Sequence, residues 1–164
     1  MEPLYTTQFA HTLDEHIKFN KALMCTKKNI TAFLFLFIML SIIPGAITYY
    51  INKNIILSIT VTVIFIILIL ISFPISMKKT IERNYYSNKM IDSEISDYKF
   101  YETKFTETDS HGSVTLAYAD LARIIETSTN FYLMIAENQG YLILKSNCSP
   151  ELIAFLSELK NKIQ

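Results

Sequence analysis

The chain has 164 residues, and its 15 basic and 15 acidic side chains leave no net charge. Its three glycines form no glycine-rich phosphate loop, and no serine stands in a nucleophile-elbow pattern. Residues 90–164 carry six basic and eleven acidic side chains, so this part would repel the phosphates of a nucleic acid. We therefore expect no enzymatic activity, no cofactor and no nucleic-acid partner.

Residues 1–29 form a polar arm that is predicted to contain a strand and a capped helix. The side chains of Leu4–Ala10 alternate in a way that suits a strand. Thr12 and Glu15 then have the spacing of a capping box. The Thr12 hydroxyl should accept a hydrogen bond from the Glu15 amide while the Glu15 carboxylate reaches back to the Thr12 amide.

Residues 30–77 are predicted to form a transmembrane hairpin. Two uncharged apolar runs, Ile30–Ile51 and Ile55–Met77, are separated by Asn52, Lys53 and Asn54. About 20 helical residues cross a hydrocarbon core of about 30 Å, so each run is long enough to span a membrane. Transporters usually place ionisable groups at membrane depth, and neither run contains one. The spans are therefore interpreted as an anchor.

Basic residues flank this hairpin on the side of the termini, whereas the loop has only Lys53. By the positive-inside rule, both termini are predicted to be cytoplasmic in a multi-pass protein of the cell membrane. The same basic residues should associate with the headgroups of the lipid bilayer. They are Lys27, Lys28, Lys78, Lys79 and Arg83.

Small residues are predicted to mediate helix packing. Ser41 and Gly45 are four residues apart in the first span, a spacing that lets another helix approach closely. Ser58 and Thr62 lie at similar depth in the second span. Packing within the hairpin is the favoured interpretation, and dimerisation through the same face, giving a homo-oligomer, is the alternative.

Residues 78–94 are predicted to form a juxtamembrane helix or linker, and residues 95–164 a cytoplasmic domain of short strands closed by a helix. Ser149 should cap that helix, with Pro150 at its first position. A turn at 109–112 and another at 137–140 separate alternating segments. The predicted strands lie at residues 98–100, 103–108, 114–118, 123–127, 131–136 and 141–145.

The order of these motifs resembles that of the bacterial YcxB-like family. The resemblance is carried by two spans followed by Tyr118–Thr127, Phe131–Leu133, Tyr141–Lys145 and a capped amphipathic helix, and at the N-terminus by Phe9 and Asp14–His16. It covers nearly the whole chain. It implies a bacterial membrane protein with a pleckstrin-homology-like C-terminal fold and implies no known activity.

The strand count agrees with that fold independently. Six strands after Ile95 and one at Leu4–Ala10 make seven, followed by a helix, which is the pleckstrin-homology layout. We therefore predict that the first strand joins the C-terminal sheet and that the hairpin interrupts this domain. The predicted fold class is a membrane α-helical hairpin plus an α+β cytoplasmic domain, an antiparallel pleckstrin-homology-like sheet or barrel capped by a C-terminal helix.

The titratable residues suggest no catalytic or metal site. His11 and His16 are five residues apart, which does not place them together on a helix face, and His111 lies in a turn. All three histidines are interpreted as solvated surface residues. The carboxylates of Glu102, Glu107 and Asp109 are interpreted as facing solvent.

The leading functional hypothesis is a membrane-anchored, non-catalytic interaction module. A sheet edge, or the groove beside the last helix, would bind a segment of a protein partner. Two alternatives stay open at this point. One is an immunity or protective protein against a membrane-acting toxin, and the other is an oligomeric channel or transport accessory.

Overall fold

The computed structural model describes residues 2–24, 27–87 and 94–163. The chain divides into two compact units. One, the β unit, combines Met1–Ala22 with Tyr85–Gln164. The other, the hairpin unit, is Leu23–Asn84. The β unit is therefore built from sequence on both sides of the apolar helices.

The hairpin unit contains two long helices, α2 (Lys27–Asn52) and α3 (Ile55–Ser87). Both are long and apolar enough to cross a membrane, with mean hydropathies of 2.2 and 3.1 over their most apolar stretches. Only 12% and 6% of these stretches are buried, whereas a core helix of a soluble protein is mostly buried. α3 runs ten residues past Met77, where the second span was predicted to end.

A four-stranded antiparallel sheet forms one half of the β unit. Its strands are β1 (Tyr5–Ala10), β2 (Ile95–Phe100), β3 (Lys104–Thr108) and β4 (Ser113–Ala117), in the order β1-β2-β3-β4. The N-terminal strand pairs with β2 from Tyr5 opposite Phe100 to Ala10 opposite Ile95. Buried and exposed residues alternate along β2, as the period-two pattern of its sequence requires.

A three-stranded antiparallel sheet and a helix form the other half. The strands are β5 (Arg123–Glu126), β6 (Asn130–Met134) and β7 (Gly140–Leu144), and all five residues of β6 are buried. The helix α4 (Pro150–Ile163) begins where predicted, with the Ser149 hydroxyl accepting from the Leu152 amide at 3.2 Å. The predicted antiparallel sheets and C-terminal helix are confirmed.

Aromatic contacts join these elements into one core. The ring of Phe105 in β3 meets that of Tyr141 in β7, with 5.1 Å between centroids. Phe155 of α4 contacts the rings of both Tyr5 and Tyr118. Because each contact joins different elements, burial of these rings couples the two sheets to the helix.

Helix α1 (Leu13–Met24) begins as predicted but completes only half of the capping box. The Glu15 amide donates to the Thr12 hydroxyl at 3.4 Å. The prediction for the Glu15 carboxylate was wrong, because it accepts instead from Lys18 Nζ at 2.7 Å and from the side-chain amide of Asn130. Glu15 is buried, and a buried carboxylate is stabilised best by such donors.

Candidate functional site

The two helices of the hairpin unit approach each other closely at Gly45. A side chain added at Gly45 would overlap Thr62 Oγ1 and would lie 3.2 Å from the Ser58 carbonyl oxygen. The Ser58 hydroxyl donates to the Gly45 carbonyl oxygen. The structure thus brings Gly45, Ser58 and Thr62 together, and only a residue without a side chain fits at position 45.

The hydroxyls of this packing site are satisfied by backbone carbonyls. Thr62 Oγ1 donates to Ser58 O at 3.0 Å within α3. Ser41, only 4% exposed, donates to Phe37 O at 2.7 Å within α2. No ionisable group takes part in these hydrogen bonds, so what the site supplies is contact between two helices.

The basic residues that flank the hairpin lie on α2 and α3 outside the apolar stretches. Lys27 and Lys28 are the first residues of α2, and their side chains are outside the described part of the structure. Lys78, Lys79 and Arg83 are exposed on α3 after the apolar stretch. Lys79 and Arg83 are four residues apart and therefore share one side of the helix.

The interpretation of His11 and His16 as separate, solvated residues was wrong. His11 Nδ1 lies 3.5 Å from His16 Nε2, and His11 Nε2 lies 3.1 Å from the Ser96 hydroxyl. Both imidazoles are half-buried. The helical spacing rule does not apply, because His11 directly follows β1 and α1 begins only at Leu13. His11 and His16 are the N′ and N4 positions of the helix capped by Thr12, where side chains often pack together, and this is the sequence signal that could have indicated the pair.

Burial sets the charge state of this pair. It lowers the pKa of His11 below the ordinary 6.5, although the negative charges of Glu107, Glu94 and Asp109 raise it. It also lowers the pKa of His16, and the neighbouring His11 lowers it further. The neutral forms are therefore favoured in the folded protein.

This pair predicts a loss of stability in mild acid. Below about pH 6.5 the unfolded chain binds more protons than the folded chain. The contribution of the pair to folding stability is therefore complete above that pH, and it is lost as the pH falls toward the lowered pKa values of the folded state. An ordinary histidine titrates roughly between pH 7.5 and 5.5. Over this range, the melting temperature of the double variant His11→Gln/His16→Gln should change less than that of the wild type. Near-ultraviolet circular dichroism of the tyrosines would follow melting.

Gln8→Ala is the control for this experiment, because Gln8 is exposed and its side chain has no titratable group. It should keep the wild-type dependence of melting temperature on pH. If the double variant keeps it as well, the pair does not control the acid sensitivity.

A second cluster, formed by Glu94, Asp109 and His111, holds the turn between β3 and β4. Within the described residues these three groups could hold a metal ion by proximity. Their oxygens already accept hydrogen bonds from the turn: Glu94 from the Ser110 amide at 3.1 Å, and Asp109 from the amides of His111 and Gly112, both at 2.8 Å. The Ser110 hydroxyl, which also donates to Glu94, lowers the pKa of Glu94 most, and the Ser110 amide lowers it further. The amides of His111 and Gly112 lower the pKa of Asp109. The cluster is accounted for by the turn it orders.

The solvent-facing interpretation of Glu107 was wrong. Glu107 is half-buried and accepts from the hydroxyl of the buried Tyr98 at 2.8 Å. Burial, followed by the nearby Glu107 charge, raises the pKa of Tyr98 well above 10. Glu107 therefore accepts a hydrogen bond from a buried phenol.

Backbone hydrogen bonds just before and just after β4 show which of its residues bond to β3. The Asp109 amide donates to the Gly112 carbonyl at 2.9 Å, and the Tyr118 amide donates to the Thr103 carbonyl at 3.0 Å. Bonded and non-bonded positions alternate in an antiparallel pair, so the even-numbered residues of β4 bond to β3. The backbone N–H and C=O groups that point away from β3 are those of Ser113, Thr115 and Ala117.

This open side of β4, called the β4 edge below, is a free sheet edge. Within residues 2–24, 27–87 and 94–163, no strand pairs with it. Ser113, Val114 and Thr115 are exposed, and β4 contains neither a charged residue nor a proline, the usual protection of an edge.

The opposite edge of the same sheet, at β1, is covered. Thr7 Oγ1 donates to the Asn147 carbonyl at 2.8 Å, and the Asn147 side-chain amide donates to the Gln8 carbonyl at 2.9 Å. Asn147 belongs to a 3-10 turn at Lys145–Asn147 that follows β7. Of the two edges of this sheet, β4 is the one able to accept another strand.

Comparison with known proteins supports the predicted resemblance over the C-terminal part. Residues 100–160 match the family described as YcxB-like protein, and this region includes β4 and most of α4. The resemblance predicted for the N-terminal arm and the spans lies outside the matched residues. Searches of the curated proteins and of the solved structures returned no significant match.

Proposed function

We propose that this protein is a membrane-anchored, non-catalytic interaction module that binds protein segments at the β4 edge. The observation that carries the proposal is the row of outward N–H and C=O groups at Ser113, Thr115 and Ala117. An extended segment added there would gain main-chain hydrogen bonds, as in other cases of strand addition.

The helices supply the anchor in this proposal. α2 and α3 expose apolar side chains along most of their length, and the apolar runs contain no ionisable residue. Positive charge at Lys27, Lys28, Lys78, Lys79 and Arg83, against Lys53 alone in the loop, supports cytoplasmic termini in the cell membrane. The β unit then works on the cytoplasmic side.

The β unit is proposed to have a pleckstrin-homology-like fold. Four strands and then three, in meander order and followed by α4, support this assignment, as does the family resemblance. β1 precedes α2 and pairs with β2, which follows α3. The hairpin is in this way an insertion between the first two strands of a cytoplasmic domain.

Site-specific photo-crosslinking in native membranes tests the proposal. A photoreactive amino acid at Thr115 should yield discrete protein adducts. The control is Lys99, which is exposed on the same sheet. Lys99 pairs with Thr106, and Thr106 pairs with Thr115, so Lys99 lies two strands, or about 10 Å, from the edge. Adducts of equal yield at both positions, or none at Thr115, would contradict binding at the β4 edge.

A further inference from the structure

We propose that the occupant of the β4 edge is β4 of a second copy of this chain, paired antiparallel about a two-fold axis at Thr115. The inference rests on the proposed function, because it uses the same edge. It specifies the partner and the register. In this register, Thr115 lies opposite the second copy's Thr115, and Ser113 lies opposite its Ala117.

The hydrogen-bond pattern of β4 is complementary to itself in this register. The outward residues of the strand are Ser113, Thr115 and Ala117, and the two-fold axis matches each outward residue with an outward residue. Each opposed pair can therefore exchange both N–H···O bonds. A shift by one residue would place outward residues opposite inward ones, and a shift by two would leave fewer residues of the five-residue strand opposed, so full overlap favours the register centred on Thr115.

The side chains of β4 also suit self-pairing. Val114 would lie opposite Leu116 of the second copy, which would cover a valine that is 48% exposed in this structure. No charged side chain lies on β4, whereas residues 90–164 have an excess of five negative charges. Two acidic domains would thus meet at an uncharged strand and avoid direct repulsion between opposed residues.

The size of the contact suggests where pairing occurs. A pair of five-residue strands buries less than the 1,200 Å² or so typical of a stable interface, so free copies at low concentration would associate weakly. Anchoring in one membrane raises the effective concentration of the copies and can make such a contact sufficient. We therefore expect pairing in a bilayer.

Charge exchange at Thr115 tests the inference. Thr115 is exposed, so Thr115→Lys and Thr115→Glu should fold. Each variant alone places like charges directly opposite one another and should weaken self-association by up to about fivefold, whereas an equal mixture of the two should restore it. The measurement is energy transfer between donor-labelled and acceptor-labelled full chains in phosphatidylethanolamine–phosphatidylglycerol vesicles. Lys99→Glu, two strands from the edge, should leave energy transfer unchanged.

The outcomes separate this inference from the proposed function. If the mixture of the two variants fails to restore energy transfer, or if wild-type chains show none, pairing about Thr115 is wrong. In that case, photo-crosslinking of a different protein at Thr115 would still support the proposed function as an interaction module. Absence of both signals would reject the module as well. Equal melting temperatures of the variants would exclude a folding defect as the cause.

Discussion

Replacing Phe9 with alanine is expected to lower the free energy of unfolding of the β unit by about 3–5 kcal/mol. Phe9 is 0% exposed and lies in β1, opposite Ser96 of β2, with its ring edge-on to that of His11. A domain of this size is stable by only about 5–15 kcal/mol, so the loss would be a large part of the total. The effect would be large because Phe9, in a strand that precedes both apolar helices in the sequence, fills the core of the β unit.

Gln8→Ala is the matched control, because Gln8 is the exposed neighbour of Phe9 in the same strand. It should change the free energy of unfolding by no more than about 0.5 kcal/mol. Denaturant unfolding of the full chain in detergent gives the free energies, and hydrogen exchange of the β2 amides locates the change. If Phe9→Ala and Gln8→Ala behave alike, β1 does not complete the core.

Local patterns were enough to predict most elements. The alternation in Ile95–Phe100 matches a strand with alternately buried residues because successive side chains point to opposite faces. The cap at Ser149 and Pro150 predicted an amphipathic α4, and its Leu152 and Leu156 side chains, one helical turn apart, are both fully buried. In each case the information lies within one element, where backbone geometry fixes which residues share a face.

Features that depend on pairing between distant segments could not be predicted in the same way. His11 meets Ser96 only because β1 pairs with β2 across 85 positions of sequence. The Glu15 carboxylate accepts a hydrogen bond from Asn130, 115 positions away, and not from the Thr12 amide that the capping box predicted. Nothing local distinguishes these contacts from solvent exposure.

The β4 edge is a further case of this kind. The sequence of Ser113–Ala117 suits an interior strand as well as an edge strand, because it is uncharged and rich in β-formers. Its position at the end of the sheet follows from the strand order, which assigns β5 to the other sheet. From the sequence, binding at a sheet edge could therefore be predicted only in general, and the strand that forms the free edge could not be identified.

Replacing Gly45 with leucine is expected to destabilise the closed hairpin by about 1–3 kcal/mol, the usual cost of overpacking. Any side chain at position 45 meets Thr62 Oγ1, and the backbone carbonyl of Ser58 limits relaxation. The hydrogen bond from Ser58 to the Gly45 carbonyl would be lost as the helices separate. The free energy of opening can be measured by titrating the detergent-solubilised chain with dodecyl sulfate.

A crosslink reports whether the hairpin is closed. The rings of Phe33 and Phe73 lie 4.6 Å apart between the same two helices, so cysteines introduced by Phe33→Cys and Phe73→Cys should react with a short bifunctional reagent only when the hairpin is closed. The native thiols are removed first, as Cys25→Ser and Cys148→Ser. Ala46→Leu is the control, because Ala46 is the exposed neighbour of Gly45 on α2 and should leave the opening free energy unchanged within about 0.5 kcal/mol.

A second pair of variants separates steric overlap from a general intolerance of position 45. Gly45→Ala alone should weaken the hairpin, because the new methyl group overlaps Thr62 Oγ1. Adding Thr62→Ala removes that oxygen and should recover part of the loss, giving a coupling of about 0.5 kcal/mol or more between the two positions. Additive effects would mean that Gly45 is required for a contact other than the one with Thr62. Coupling would show that this packing face is occupied within each chain, which disfavours the alternative in which two copies dimerise through the same face.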